Sequence, residues 1–178
     1  KKTEVRKKVL VTMVMLCIVS MNAMAGGLKV VQGDKKFFKT AEGKASLEFV
    51  WDGATYNGKM PLTEHYTNLD ELEKVAWKWF RDEFNKHNKT VQIVESTEEV
   101  KYKITVKVTK MHAYLKLSSF VPGKATEAWG TLTITDAATG EELLVADIKK
   151  VDGGANPSPD GTFGDCFKDL AQHLHKLK

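Results

Sequence analysis

Cysteine is scarce in this chain of 178 residues, which contains only Cys17 and Cys166. Cys17 lies in an N-terminal apolar stretch that we expect to be removed, so no internal disulfide is predicted for the remainder. In an oxidising compartment, a single thiol is buried, reactive or paired with another chain. We predict a buried Cys166, because free cysteine commonly packs as a small apolar side chain.

Long hydrophobic runs are also absent. The longest, VLVTMVMLCIVSM at 9–21, has thirteen residues, whereas a transmembrane helix needs about 20. It follows a basic segment at 1–8 and precedes small residues that end at Ala25. This order is typical of a secretory signal peptide cleaved after Ala25. A lipoprotein signal is disfavoured, because Leu16 precedes Cys17 where a small residue is needed.

Outside the segment 1–25, neither basic nor acidic residues are in excess. Residues 1–25 hold five of the 27 basic residues and one of the 23 acidic ones, which leaves 22 of each in 26–178. The whole-chain charge of +4 therefore gives no argument for nucleic-acid binding. We expect an exported protein, periplasmic or extracellular, with a signal peptide at 1–25. Residues 26–178 would form one domain of ordinary size, without a transmembrane segment.

Familiar ligand motifs do not occur in the glycine- and proline-rich stretch VDGGANPSPDGTFGDC at 151–166. It lacks the GK[ST] ending of a P-loop and the glycine spacing of a dinucleotide-binding turn. Asp152, Asn156 and Asp160 are spaced four apart, which does not match an EF-hand calcium loop. A weak calcium site of another kind is the alternative for these three residues.

A catalytic thiol would need a histidine base within hydrogen-bond reach of Cys166. His173 is seven residues away, which on one helix separates the two backbones by about 10 Å. His173 and Asp169, four apart, are expected to form a surface pair rather than a metal site. We therefore predict no catalytic residue, no metal and no cofactor, and expect that the protein is not an enzyme.

Two stretches have the periodicity of amphipathic helices. In 68–88 the apolar residues fall on one stripe, with Thr67 or Asn68 placed to supply the N-cap oxygen. The second stripe begins at Phe167 and runs to Leu177, in a helix that Thr162 or Asp165 would cap.

Alternating apolar residues predict the strands. The clearest alternation covers 100–108, and its parity flips after Lys110, which predicts a bulge at 110–112. Further strands are predicted at 45–51, 91–94, 129–135 and 141–151, the last two joined by a hairpin turn at 136–140. The least regular stretch outside 151–166 is 52–66, which we predict to be a mobile loop.

Taken together, these elements predict an α+β fold. We expect a two-layer sandwich in which two amphipathic helices pack on one face of a mostly antiparallel sheet.

The segment ITDAATGEELL at 134–144 resembles the strand, D-x-x-TGE, strand hairpin of small exported envelope domains. Together with EKVAWKWFRDEF, VKYKITVKV and FKDLAQHL, it gives a segment order similar to the TolB N-terminal kind and to the lipoprotein activators of penicillin-binding proteins. The resemblance covers 45–177. It implies a non-catalytic envelope domain that binds other proteins, and it assigns no site residue.

These observations favour an exported binding module of the cell envelope whose partner is a protein. It would bind through an exposed sheet edge or through the loops at 52–66 and 152–165. The alternative is a small-molecule or glycan-binding protein that uses loop aromatics. A thiol enzyme using Cys166 is a third hypothesis. The candidate binding residues are Tyr56, Tyr66, Tyr114, Asp152, Asn156 and Asp160.

Overall fold

A computed structural model describes residues 27–95, 97–117, 122–154, 156 and 158–177, with the backbone alone at 115–117 and 122–124. This part of the chain forms eight strands and four helices. The strands are β1 (Gly27–Gly33), β2 (Gly43–Val50), β3 (Thr55–Tyr56), β4 (Met60–Pro61), β5 (Val91–Ile93), β6 (Tyr102–Leu117), β7 (Pro122–Asp136) and β8 (Glu142–Asp152). The helices are α1 (Phe37–Thr40), α2 (Leu62–His65), α3 (Leu69–His87) and α4 (Pro159–His175).

The strands join in one sheet in the order β1-β8-β7-β6-β2-β5, and the short β3 lies beside β6. The pairs β1–β8, β8–β7 and β7–β6 are antiparallel, whereas β2 runs parallel to both β6 and β5. The α+β class is therefore confirmed, but the prediction of a mostly antiparallel sheet is wrong because the sheet is mixed. Alternation fixes which face of a strand is dry and does not fix the direction of its neighbours.

The predicted alternation matches the buried face of the sheet. Ile104, Val106 and Val108 are buried in β6, as are Ala45, Leu47 and Phe49 in β2. The parity flip is confirmed by a bulge between Val108 and Lys110, after which Met111 is the buried residue. Each strand thus keeps its apolar side chains on the dry face.

Both long helices contact the ring of Phe49 on β2. The Phe80 ring of α3 lies 6.3 Å away and the Phe167 ring of α4 lies 5.0 Å away, both edge-on. Trp51 stacks on Phe49, with centroids 5.5 Å apart. This aromatic cluster ties β2 to both helices through large buried rings.

The helix starts differ from the predicted caps. Asn68 precedes α3, but its side chain makes no capping hydrogen bond. The second helix begins eight residues before Phe167, at Pro159, and Ser158 caps it by accepting from the Gly161 N–H. The predicted caps Thr162 and Asp165 therefore lie inside the helix. Pro159 follows its cap directly, a position where a missing N–H costs nothing.

The hairpin turn between β7 and β8 is confirmed. Asp136 Oδ1 accepts hydrogen bonds from the backbone N–H groups of Ala138 and Thr139, at 3.0 and 2.9 Å. Gly140 has a φ of +75°, a conformation that favours glycine.

Candidate binding surface

In the described chain the main strand order ends at β1 and at β5, and the two-residue β4, which pairs only with β3, is a further short edge. The β5 edge is closed by a side chain of α3. The Ile93 N–H donates to Asn85 Oδ1 at 2.8 Å, and Asn85 Nδ2 donates to the Ile93 carbonyl at 2.9 Å. The Asn85 amide thus satisfies both backbone groups of Ile93 as a neighbouring strand would. Covering an edge in this way prevents the pairing of another chain.

The β1 edge is different. In the described chain, β1 pairs on one side with β8, and the strand order ends there. Its register runs from Gly27 opposite Lys150 to Gly33 opposite Leu144 and skips Val31. Val31 is 53% exposed, more than any other large apolar side chain in the described chain. An edge strand presents a row of backbone donors and acceptors to an incoming strand.

The two ends of β1 are fixed by close contacts. A Cβ at Gly27 would lie 2.3 Å from the His173 ring of α4, and one at Gly33 would lie 2.1 Å from the Leu143 carbonyl. Both glycines also have positive φ, +108° and +88°. The strand is therefore held against α4 at its start and against β8 at its end, while its outer side faces away from the sheet.

The prediction that 52–66 is irregular is wrong, whereas its mobility stays a prediction. It folds as the β3–β4 hairpin followed by α2, and Ala54 and Leu62 are buried. The Leu62 N–H donates to the Ala54 carbonyl at 2.9 Å, which closes the hairpin onto the helical turn. An open depression of about 550 Å³ beside it is lined by Trp51, Asp52, Gly53, Ala54, Thr55, Lys59, Pro61 and Thr63.

Tyr56 and Tyr66 lie together in this region. The Tyr56 ring stacks on His65 with centroids 3.4 Å apart, and the Tyr66 ring is 6.1 Å away, edge-on. Burial, and then the neighbouring Tyr56, raise the pKa of Tyr66 to about 12. Tyr66 also contacts the buried Phe163 ring at 5.5 Å. Tyr66 is thus a packing residue in large part, and neither tyrosine lines the depression described above.

Tyr114 and Asp152 form a second pair, across β6, β7 and β8. The Tyr114 hydroxyl donates to the Asp152 carboxylate, with both oxygens within 3.0 Å. Partial burial and this hydrogen bond raise the pKa of Tyr114 to about 12. Between them on β7, Glu127 lies 3.0 Å from Lys150 Nζ and 3.5 Å from His112 Nδ1. The pair is a cross-strand contact that satisfies its own polar groups.

Asn156 and Asp160 are not brought together with Asp152. Asn156 Oδ1 accepts from the Ser158 N–H at 3.1 Å, and Asn156 Nδ2 donates to Asp165 at 3.2 Å. Asp160 is exposed in the first turn of α4. Asn156 therefore orders the start of the helix. Within the described residues, no group of three or more His, Cys, Asp or Glu side chains could hold a metal ion.

Cys166 is fully buried, as predicted, and lies in the middle of α4. Its Sγ donates to the Val151 carbonyl at 3.7 Å. Burial, with Asp169 and Asp152 nearby, raises the pKa of the thiol well above its ordinary value. A low thiolate fraction and a blocked approach both oppose nucleophilic chemistry. The predicted pair of His173 and Asp169 is present, with Nδ1 and Oδ1 3.4 Å apart.

Two features of this surface did not emerge from the sequence. Only GGLKVVQG lies between the predicted cleavage site and Asp34, and its alternation is too short to distinguish the strand β1 from a linker. Asn85 looks like one more polar residue on the wet side of α3. Only the position of β5 shows that it replaces a strand neighbour. No helix in the described part of the chain is long and apolar enough to cross a membrane.

No family model matches the sequence, and no curated protein matches it. Among solved structures, the PelC dodecamer from Paraburkholderia phytofirmans is similar over 85% of this chain and 98% of that chain, with 12% identity and a TM-score of 0.45. The hypothetical protein CT253 from Chlamydia trachomatis is similar over 77% and 98%, with 8% identity and a TM-score of 0.39. Both likenesses are distant, and neither assigns a function to this chain. The resemblance to TolB N-terminal and lipoprotein-activator domains stays a prediction.

Proposed function

We propose that the protein is an exported, non-enzymatic binding module of the cell envelope that captures an extended segment of a protein partner at the outer edge of β1. The observation that supports this proposal is the contrast between the two ends of the sheet. Asn85 closes the β5 edge, whereas no strand or helix described in the chain pairs with the outer edge of β1.

Strand addition suits the chemistry of this edge. Main-chain hydrogen bonds supply the affinity in this mode, and side-chain pockets on alternate residues supply the specificity. Such a site needs no convergent set of polar side chains. This agrees with the scattered positions of the six residues that the sequence favoured.

The β1 edge is also adapted to a selective partner. The bulge at Val31 and the exposed Lys29 are features that discourage indiscriminate pairing of edge strands. The cross-strand neighbour of Lys29 is Asp147, so an incoming strand meets both charges on one face. A partner must therefore match a bulged register and a specific charge pattern.

Site-specific photo-crosslinking tests the proposal. A benzophenone side chain is placed at Val31 on β1 and, as a matched control, at Met60 on β4, the other exposed large apolar residue of the described chain. In the envelope fraction of the producing cell, the Val31 probe is expected to give a discrete protein adduct that the Met60 probe does not give.

Two results would contradict the proposal. An adduct from Met60 and none from Val31 would move the site to the 52–66 region and revive the binding hypothesis based on Tyr56. Equal adducts from both positions would indicate only nonspecific contact. The glycan-binding alternative predicts that soluble oligosaccharide competes at Met60 and leaves the Val31 reaction unchanged.

A further inference from the structure

The two faces of β1 differ in chemistry. Leu28 and Val30 are half-buried and pack on the core, and their cross-strand neighbours on β8 are buried. Lys29, between them, belongs to the opposite face and is exposed. A strand added at the outer edge of β1 would continue both faces, because paired residues of neighbouring strands point to the same side of a sheet.

The charges beside this edge do not cancel. Lys149 Nζ lies 2.7 Å from Asp147 Oδ2, and Lys150 Nζ lies 3.0 Å from Glu127 Oε1. Lys29 is the cross-strand neighbour of Asp147, but it forms no ion pair in the part of the chain that the structure describes. Two lysines therefore stand beside one carboxylate, and the outermost strand keeps a positive charge.

The next acidic residue along the chain does not neutralise this charge. Asp34 follows β1, and its Oδ1 accepts a hydrogen bond from the Lys36 N–H at 2.8 Å. Five residues of extended chain separate Asp34 from Lys29, roughly 16 Å at about 3.3 Å per residue. Exposed charges that far apart are largely screened, since the Debye length is about 8 Å at physiological ionic strength.

The spacing of strands makes Lys29 the charge that an incoming strand meets first. Adjacent strands lie about 4.8 Å apart. A strand paired with β1 would therefore lie about 5 Å from the backbone of Lys29 and about 10 Å from β8, which carries Asp147 and Lys149. The Asp147 carboxylate is both more distant and already bonded to Lys149.

We infer that the segment captured at β1 is acidic on one face and apolar on the other. Its aspartate or glutamate pairs with Lys29, and its alternate residues are apolar where they adjoin Leu28 and Val30. This partner chemistry rests on the proposed capture of a strand at β1 and adds to it what the strand must carry. Opposite charges on neighbouring strands stabilise their pairing, and like charges oppose it. A lysine or arginine beside Lys29 is therefore rejected, so repulsion adds to the selectivity.

Three synthetic peptides of nine residues serve as probes. In each, threonine alternates with valine, and the central residue of the threonine face is glutamate, glutamine or lysine. Each is irradiated with the chain that carries the benzophenone side chain at Val31. The glutamate peptide is expected to give about threefold more adduct than the glutamine peptide and about tenfold more than the lysine peptide, the scale of cross-strand charge pairs. These ratios are expected to shrink in 1 M salt, where the Debye length is about 3 Å.

Variants of Lys29 test whether this side chain sets the preference. Lys29→Glu is expected to reverse the order, so that the lysine peptide gives the most adduct. Lys29→Gln places no second carboxylate beside Asp147 and is expected to bring the three yields within about twofold, because the charge pair is lost. Lys39→Glu, the matched control, changes an exposed lysine on α1 and is expected to keep the wild-type order.

The outcomes distinguish this inference from the proposed function. If no peptide reacts at Val31 more than with the Met60 probe, capture of a strand at β1 fails and the acidic partner fails with it. If all three peptides react equally at Val31 and not at Met60, capture stands and the acidic preference is overturned. An unchanged preference for glutamate in Lys29→Glu would also overturn it, as would its loss in Lys39→Glu.

Discussion

The Cys166 thiol lies fully buried, with Sγ donating to the Val151 carbonyl. Its raised pKa and its inaccessibility both predict slow alkylation at neutral pH. In a Cys17→Ser background, iodoacetamide is expected to modify Cys166 at least a hundredfold more slowly in the folded protein than in guanidinium chloride, a difference of about 3 kcal/mol. Mass spectrometry follows the reaction. Rapid modification of the folded chain would restore the thiol-enzyme hypothesis.

Glu83 is a buried carboxylate at the contact between α3 and α4. Burial raises its pKa, but hydrogen bonds from Gln172 and His87, both at 3.0 Å, outweigh burial and hold the pKa below its ordinary value of 4.5. A lowered pKa in the folded state means that Glu83 stabilises the fold above about pH 4.5. That contribution is lost as the pH falls through the folded-state pKa.

Glu83→Gln removes this titration while keeping the size of the side chain. At pH 7 the variant is expected to be less stable by about 1 kcal/mol or more, because charged hydrogen bonds are lost. The difference from wild type is expected to shrink as the pH falls below about 4.5. Urea unfolding at a series of pH values measures the difference in stability and its dependence on pH. A difference that grows on acidification would contradict the assignment.

At the scale of elements, Asn85 connects α3 to the β5 edge through two hydrogen bonds to Ile93. Asn85→Ala leaves a backbone donor and acceptor without these bonds, which is expected to cost about 1–3 kcal/mol. Hydrogen exchange of the Ile93 amide should become faster by at least tenfold. Asn85→Asp keeps the acceptor for the Ile93 N–H and should protect that amide better than alanine. If both variants exchange like wild type, Asn85 does not close this edge.

α3 and α4 approach closely at Gly164. A Cβ there would lie 2.7 Å from the Trp79 ring. Glycine to alanine in an exposed helix stabilises by about 1 kcal/mol, whereas Gly164→Ala is expected to destabilise because the ring must move. In a Trp79→Ala background the substitution should become neutral or favourable. This double-mutant cycle measures the contact directly, and an additive result would contradict it.

The helix α4 also shows why part of the fold could not be predicted from the sequence. Gly161 and Gly164 made 151–166 look like a loop, but Gly164 lies within α4 where a larger residue would meet Trp79. Ser158, between two prolines, looked like part of a turn and is the N-cap. Local composition cannot separate glycine used for a turn from glycine used for a close helix contact.

At the scale of the whole molecule, the features that could be predicted from the sequence are those that the periodicity of apolar residues determines. The buried faces, the bulge after Val108 and the α3 helix follow from the spacing of apolar residues alone. The parallel pairing of β2 with β6 and the edge position of β1 depend on contacts distant in sequence. The six favoured site residues separate into the Tyr56–Tyr66 pair, the Tyr114–Asp152 pair, and Asn156 and Asp160 near α4.

A protein strand bound at the outer edge of β1, as proposed, would pair with the backbone of that strand. Amide hydrogen exchange of β1, with and without the protein captured by the Val31 probe, tests it most directly. Exchange of those amides between Leu28 and Gln32 that do not already bond to β8 is expected to slow by at least tenfold on binding, while exchange of the Ile93 amide on the closed edge is unchanged. Protection confined to 52–66, or exchange in β1 that is unaffected by a bound partner, would contradict it.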